Sequence, residues 1–394
     1  MPLLWTLGRQ PPGFSTTRSH DRGLALTKTI VLVFPLDIDE ASAFIRVARA
    51  LDIKIIGASS AMADRNGEPI DLFIRLPFIT DPEFDEALGL AIARHSITRI
   101  YSPHQGVWRH LKNLLQRGSG GPSFELCQPD PFSVTMQLFS PHEDWAASVV
   151  IDTTSEEILG KATIRPPLSR SCYSALHRQF LSTPGQCDEG KLRALCHIVR
   201  QLPRGDFLEV GSLYGRSAFA LGYLASRHNL GSLICIDPWN TSELTDQGPQ
   251  AAVLNSELTN TDIDVEQIFR IFLSTMALLD NVAYLRKTSA AAVAMYQAAR
   301  KTRELHSPEL GKVPLAEQLS LLHIDGNHRY DQVRTDVETW SPFLAPGGWL
   351  LLDDYVWAFG DGPRRVGDEL LATPLYNSAY VSGDTLFLRR SESS

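Results

Sequence analysis

Phe207-Leu208-Glu209-Val210-Gly211-Ser212-Leu213-Tyr214-Gly215-Arg216-Ser217 reads as an apolar strand, a glycine turn and the start of a helix that continues from Ala218 to Ser226. Glycines at such a turn let backbone approach a ligand closely, and the helix N-terminus behind it favours polar or anionic groups. A nucleotide-like cofactor is the natural occupant. The dinucleotide fingerprint G-x-G-x-x-G requires glycine where Leu213 stands, which argues against a nicotinamide cofactor.

Working outward, Ser232-Leu233-Ile234-Cys235-Ile236 is a second apolar strand ending in Asp237-Pro238-Trp239. Asp237 follows the glycine turn at a separation close to the ~20 residues over which an acid after the second strand meets ribose hydroxyls. Farther on, Leu321-Leu322-His323-Ile324 runs into Asp325-Gly326-Asn327-His328-Arg329-Tyr330, and a helix from Tyr330 to Phe343 leads through Pro346-Gly347-Gly348 to Trp349-Leu350-Leu351-Leu352-Asp353-Asp354-Tyr355. Two neighbouring strands thus end in carboxylates, in the crevice where open α/β sheets bind ligands. Ala379-Tyr380-Val381, a turn at Ser382-Gly383-Asp384, and Thr385 to Arg389 close the chain as an antiparallel hairpin.

Four such segments in this order resemble the class I S-adenosylmethionine-dependent methyltransferases, in particular the group with E-V-G-x-x-x-G-x-S, I-D-G-x-H-x-Y and P-G-G…D-D-Y. The likeness covers roughly Glu189 to Arg390. It implies an α/β fold with a doubly wound Rossmann-like sheet and a terminal antiparallel hairpin. It also implies that Glu209, Gly211, Ser212, Tyr214, Gly215 and Ser217 surround the methionine part of S-adenosylmethionine, with Asp237 on its ribose, Trp239 beside it, Ser289 near the adenine and Asp325 at the cofactor. Ser289 equally suits a cap for the helix that follows.

Asp325, Asp353 and Asp354 also resemble the metal ligands of metal-dependent sugar and catechol O-methyltransferases. Carboxylates gathered on neighbouring strand ends repel one another unless protonated or countered by a cation, and hard oxygen ligands select ions such as Mg²⁺. The competing reading has Asp325 touching cofactor, Asp353 capping a strand end and Asp354 solvated. His328 is the candidate general base, with Asp325 beside it, and a helix-capping or stacking histidine is its structural alternative.

Before this domain, Thr29 to Cys127 alternates short apolar runs with helical periodicity. Strands are expected at Ile30–Phe34, Ile53–Ile56, Leu72–Leu76 and Ile97–Tyr101, with helices at Glu40–Leu51, Pro82–His95 and Val107–Gln116. This is a smaller Rossmann-like α/β domain, reminiscent by pattern of those preceding ATP-grasp modules, and its role is not legible. The expected organisation is a disordered tail over 1–28, this domain over 29–127, a connecting region over 128–188 interrupted by prolines and holding one hairpin, and the methyltransferase domain over 189–394. Residues 241–279 read as an insertion that covers the ligand.

The net charge of −8 argues against a nucleic-acid partner. Five cysteines without CxxC spacing suggest neither zinc knuckle nor disulfide framework and suit a reducing cytoplasm. No apolar run is long enough to span a bilayer, and residues 1–28 lack the apolar core of a secretory signal. The expected activity is methyl transfer from S-adenosylmethionine to an oxygen of a small molecule such as a sugar or secondary metabolite. N-methylation and an inactive cofactor-binding scaffold are the alternatives, and the state of assembly, including a homo-oligomer, is left open.

Overall fold

The structure is a computed structural model describing residues 29–61, 69–117, 122–152, 164–259 and 262–392. The expected tail over 1–28 lies outside the described residues. The chain divides into two units, Met1–Leu138 and Phe139–Ser394, with the division falling inside one helix.

The first unit contains β1 (Ile30–Val33), α1 (Asp39–Ala50), β2 (Lys54–Ser59), β3 (Leu72–Arg75), α2 (Phe84–His95), β4 (Arg99–Tyr101), α3 (Gln105–Gln116) and β5 (Glu125–Leu126). All strand pairs are parallel in the order β3-β2-β1-β4-β5. Alternate residues of β1 serve opposite faces, as the period of two in a strand requires. Val31 and Val33 pack toward α1 through Ala41, Ile45 and Ala48, whereas Leu32 and Phe34 pack toward α2 and α3 through Phe84, Leu88 and Leu111.

α4 (Pro131–Ile151), α5 (Arg170–Ser182) and α6 (Glu189–Ile198) follow. The connecting region therefore holds helices where a hairpin was expected. Pro131 sits at the first helical position, where its missing N–H costs nothing, and Pro141 lies inside the helix. Trp145 from α4, and Tyr173, Leu176 and Phe180 from α5, are buried in the core of the second unit. Their apolar faces make this segment part of that core.

The second unit continues with β6 (Asp206–Val210), α7 (Arg216–Arg227), β7 (Leu233–Ile236), α8 (Thr241–Thr245), α9 (Ala252–Thr259), α10 (Val265–Met276), β8 (Val282–Leu285) and α11 (Ser289–Thr302). A hairpin that the sequence pattern did not announce, β9 (Glu304–Ser307) and β10 (Gly311–Pro314), precedes β11 (Leu319–Ile324). α12 (Tyr330–Trp340), β12 (Leu344–Leu352), α13 (Gly362–Leu371), β13 (Tyr376–Ser382) and β14 (Thr385–Arg390) complete it. The sheet order is β13-β14-β12-β11-β6-β7-β8, parallel except at β14, which is antiparallel to both neighbours. The chain runs outward from β6 to β8 and then outward again from β11, so the order reverses between β6 and β11. Such a reversal opens a crevice at the carboxyl ends of the two strands.

The sheet has separate cores on its two sides. Phe207, Leu233 and Cys235 pack with α5, α6, α7 and α10, whereas Leu208, Ile234 and Ile236 pack with α11, α12 and α13. Within the insertion, α10 buries Phe272 and Met276 and so belongs to the core. Only its earlier part, 240–259, is free to serve as a cover.

Asp206 opens β6 with 1% of its surface exposed, accepting bonds from the Ser232 and Ala316 backbone amides at 2.8 and 2.7 Å. Burial pushes its carboxyl up to about 6, against the lowering effect of those two bonds. A folded value above the unfolded one means that this contribution to stability is present below about pH 4 and lost as pH rises through about 6. At 1.36 kcal/mol per unit, the loss is about 3 kcal/mol. Urea unfolding of wild type and Asp206→Asn at pH 4 and pH 7 is expected to show the variant's profile flatter by about that amount. Parallel profiles would show that Asp206 does not carry it.

Candidate active site

β6 delivers the glycine turn to the crevice. Gly211 has φ +84° and packs so closely on the β11 loop that a Cβ there would lie 1.9 Å from the Asp325 carbonyl oxygen. The Asp325 amide donates to the Val210 carbonyl at 2.8 Å, tying the two loops together. Gly215, φ +90°, precedes α7 and leaves that helix without a side-chain cap. Leu213, Trp239 and Asp354 also hold positive φ, a conformation that costs side-chain-bearing residues free energy. All three line one cavity of about 810 Å³.

Gly211, Ser212, Tyr214, Ser217, Asp237, Trp239 and Ser289 line that same cavity, as do Asp325, His328, Asp353 and Asp354. Two expected residues do not. Glu209 is fully buried and bonds instead to the Ser212 hydroxyl at 2.6 Å and His323 Nδ1 at 3.0 Å. Strand alternation turns it away from the cavity that Val210, the next residue, lines, and register sets it opposite His323 on β11. Gly215 abuts Phe272 and Met276 and shapes the turn from behind.

Asp237 braces the glycine turn. Its Oδ2 accepts the Ser212 and Leu213 amides at 2.9 and 3.0 Å, and Oδ1 accepts the Trp239 amide at 2.7 Å. Burial raises its carboxyl above the usual range despite these three bonds. With Oδ2 filled, Oδ1 retains the lone pair that a ribose hydroxyl would meet. Trp239 is nearly buried, its indole N–H donating to the Leu213 carbonyl at 2.8 Å. Ser289, the first residue of α11, accepts from the Trp340 indole at 2.7 Å and bonds to Asp336, whose carboxyl burial pushes up to about 6.

The three aspartates do not share one environment. Asp353 is buried, paired with the Lys191 ammonium through Oδ2 and accepting from the Thr385 hydroxyl through Oδ1. Burial would raise its carboxyl, but Lys191, and then His323, outweigh that and hold it below the ordinary carboxylate range. Asp325 goes the other way. Enclosure first, and then the Asp353 charge, hold its carboxyl well above the usual range.

Asp354 Oδ2 lies 2.5 Å from His328 Nε2, and His328 Nδ1 lies 2.5 Å from Gln247 Oε1. The Gln247 amide nitrogen donates to the Glu243 and Leu244 carbonyls, which turns Oε1 toward the imidazole and places the His328 proton on Nδ1. Trp357 covers the ring at 4.4 Å, and Phe359 meets Trp357 at 5.7 Å. The cover segment is pinned over this site by Arg329 and Asp246 at 2.7 Å and by Gln250 and Asp361 at 2.9 Å. Among the described residues, potential metal ligands converge as His323, Asp325 and Asp353, and as Asp325, His328 and Asp354. The expected trio of aspartates is not one of these groups.

Sequence reading did not identify Lys191, Gln247, His323 or Trp357. Lys191 had a signal. It shares a helical stripe with Ala194, Leu195 and Ile198, all buried, so a lysine was written onto an apolar face. His323 likewise interrupts the apolar run Leu321–Ile324 of a fully buried strand. Gln247 and Trp357 lie in irregular segments whose course no local pattern sets.

Residues 208–355 match the family described as a methyltransferase domain. Among solved structures, the chain is similar to the O-methyltransferase NovP, at 14% identity and a TM-score of 0.39, covering 64% of this chain and 99% of that one. It is also similar to CalS11, a TDP-rhamnose 3'-O-methyltransferase (12% identity, TM-score 0.35, covering 64% and 93%), and to an O-methyltransferase from Bacillus cereus in complex with SAH (14%, 0.34, covering 64% and 100%). No curated protein matches in sequence. Residues 208–355 are thus similar to a methyltransferase domain, and the strand order of the second unit is that of a parallel-dominated, Rossmann-like α/β sheet.

Proposed function

We propose that this protein transfers a methyl group from S-adenosylmethionine to a hydroxyl oxygen of a small-molecule acceptor. The observation carrying this reading is the convergence on one cavity of the glycine turn, Asp237 and the His328–Asp354 pair. S-adenosylmethionine, when bound, supplies an electrophilic methyl on a sulfonium sulfur. The uncapped N-terminus of α7 attracts the carboxylate of its methionine part, Asp237 Oδ1 meets the ribose, and Ser289 and Asp336 face the base.

His328 acts as general base. Gln247 orients the ring through Nδ1, and Nε2 lies 2.5 Å from Asp354 Oδ2, so the imidazole and the carboxylate act as one base: the pair takes the acceptor proton and Asp354 stabilises the imidazolium that forms. Trp357 and Phe359 form an apolar wall for the acceptor.

A metal-assisted reading is favoured by the second ligand group. Asp325, His328 and Asp354 offer ligand atoms within 4.8 Å of one another, the donor set of a divalent cation, which would lower the pKa of an acceptor hydroxyl.

Calorimetric titration is expected to show binding of S-adenosylmethionine and none of NAD. Methylated product from a panel of hydroxylated acceptors then tests transfer, and the same assay in EDTA separates the readings. Retained turnover supports His328 acting alone, and lost turnover supports the metal. NAD binding without S-adenosylmethionine binding would overturn the proposal.

No helix among the described residues is long and apolar enough to cross a membrane. A cytoplasmic site of action and a small-molecule partner are part of this proposal.

A further inference from the structure

Lys191 stands out among the cations of the second unit. It is carried by α6, upstream of the strand that begins the sheet, yet its side chain is only 1% exposed and its ammonium contacts Asp353. Burial alone would favour a neutral amine, but the Asp353 carboxylate outweighs this and keeps the lysine charged. A buried ammonium survives only when paired, and here the pair is supplemented by the Thr385 hydroxyl on the other carboxylate oxygen. Asp353 thus holds a full positive charge on Oδ2 and a hydroxyl donor on Oδ1, and it also shares a hydrogen bond with the Asp325 carboxyl.

The D-D pair after β12 resembles a set of metal ligands, but Asp353 is already supplied with a cation of its own. A divalent ion on Asp353 Oδ2 would sit beside the Lys191 ammonium in a buried setting where like charges are poorly screened. Nothing comparable holds Asp354, which faces His328 and the cavity. His323 adds a second mark of the same arrangement. It is 1% exposed, and its Nε2, without a hydrogen-bond partner among the described residues, lies 3.8 Å from Asp353 and 3.9 Å from Asp325, so the Lys191 ammonium is the cationic group in direct contact with that carboxylate.

We propose that Lys191 is a built-in counter-cation that occupies Asp353 and withholds it from divalent ions, so that any cation bound at this site is held without Asp353. The proposal rests on the methyltransferase reading only for the purpose of the site. Its chemistry concerns the pair itself.

Mn²⁺ alone, followed by electron paramagnetic resonance, provides the test. Lys191→Met is expected to bind Mn²⁺ at least tenfold more tightly than wild type, because Asp353 becomes a free carboxylate beside Asp325 and His323. Lys191→Met/Asp353→Asn is expected to return to the wild-type value. Equal or weaker Mn²⁺ binding by folded Lys191→Met overturns the proposal, as does weaker Mn²⁺ binding in Lys191→Met/Asp353→Asn than in wild type, because that variant removes both charges together. Circular dichroism establishes that each variant is folded, and if Lys191→Met is not, Lys191→Met/Asp353→Asn decides. Calorimetry with S-adenosylhomocysteine on wild type distinguishes the two readings: absence of binding counts against the methyltransferase assignment and leaves the Lys191 proposal to the Mn²⁺ result.

Discussion

Gly211→Ala is expected to lower the melting temperature of the second unit by roughly 10 °C and to abolish methyl transfer, the largest effect foreseen for a single methyl group in this protein. The added Cβ meets the Asp325 carbonyl oxygen at 1.9 Å, its carbon at 2.5 Å and Gly326 Cα at 2.7 Å. These are backbone atoms of a loop held to β6 by the Asp325–Val210 bond, so no side chain can rotate away to make room. The residue also holds φ +84°, where alanine is strained. Overpacking costs about 1–3 kcal/mol or more, and the backbone strain adds about 1–3 kcal/mol, giving a loss of about 3–5 kcal/mol. Relief comes only by pushing the Asp325 loop off the strand, which displaces Asp325 and His328 together. Differential scanning fluorimetry and a transfer assay read the two parts separately. A variant that melts with wild type would mean that the loops are not packed as described.

His328→Asn is expected to reduce kcat by a factor on the order of 10²–10⁴ while leaving the affinity for S-adenosylhomocysteine within about twofold. The imidazole lies between Gln247 and Asp354, and asparagine cannot span the two or accept a proton at the Nε2 position. Asp237 and the glycine turn, to which the proposed function gives the cofactor, are not among the groups bonded to His328, so binding and turnover separate. Single-turnover kinetics with a saturating acceptor gives the chemical step directly. Wild-type kcat would exclude His328 as the base, whereas a matched fall in cofactor affinity would assign it to the pocket wall.

Much of the site is written in local sequence. The turn at Gly211–Gly215, the acid after β7 and the acids after β11 and β12 each sit at a strand end that the apolar runs mark plainly, and one parallel sheet then suffices to bring them to one edge. Glu209 shows where that reading stops. Its position in the motif suggests the cofactor, yet the strand's alternation turns it to the buried face that Phe207 also serves, where His323 and Ser212 satisfy it. The prolines of 129–167 misled in a different way, because Pro131 suits a helix start and Pro141 is accommodated within the helix, so composition alone signalled interruption.

The sequence by itself determined the strands, their termini and hence which acids and glycines meet at the crevice, because strand burial and turn chemistry are properties of neighbouring residues. Only the tertiary structure decided what each acid does there. Lys191 reaches Asp353 across 162 positions and Gln247 reaches His328 across 81. Those partners set two adjacent aspartates of one cavity apart: Asp353 is paired with a buried ammonium, and Asp354 faces the histidine that Gln247 orients. Charge pairing depends on distance in space, and no spacing along the chain encodes it.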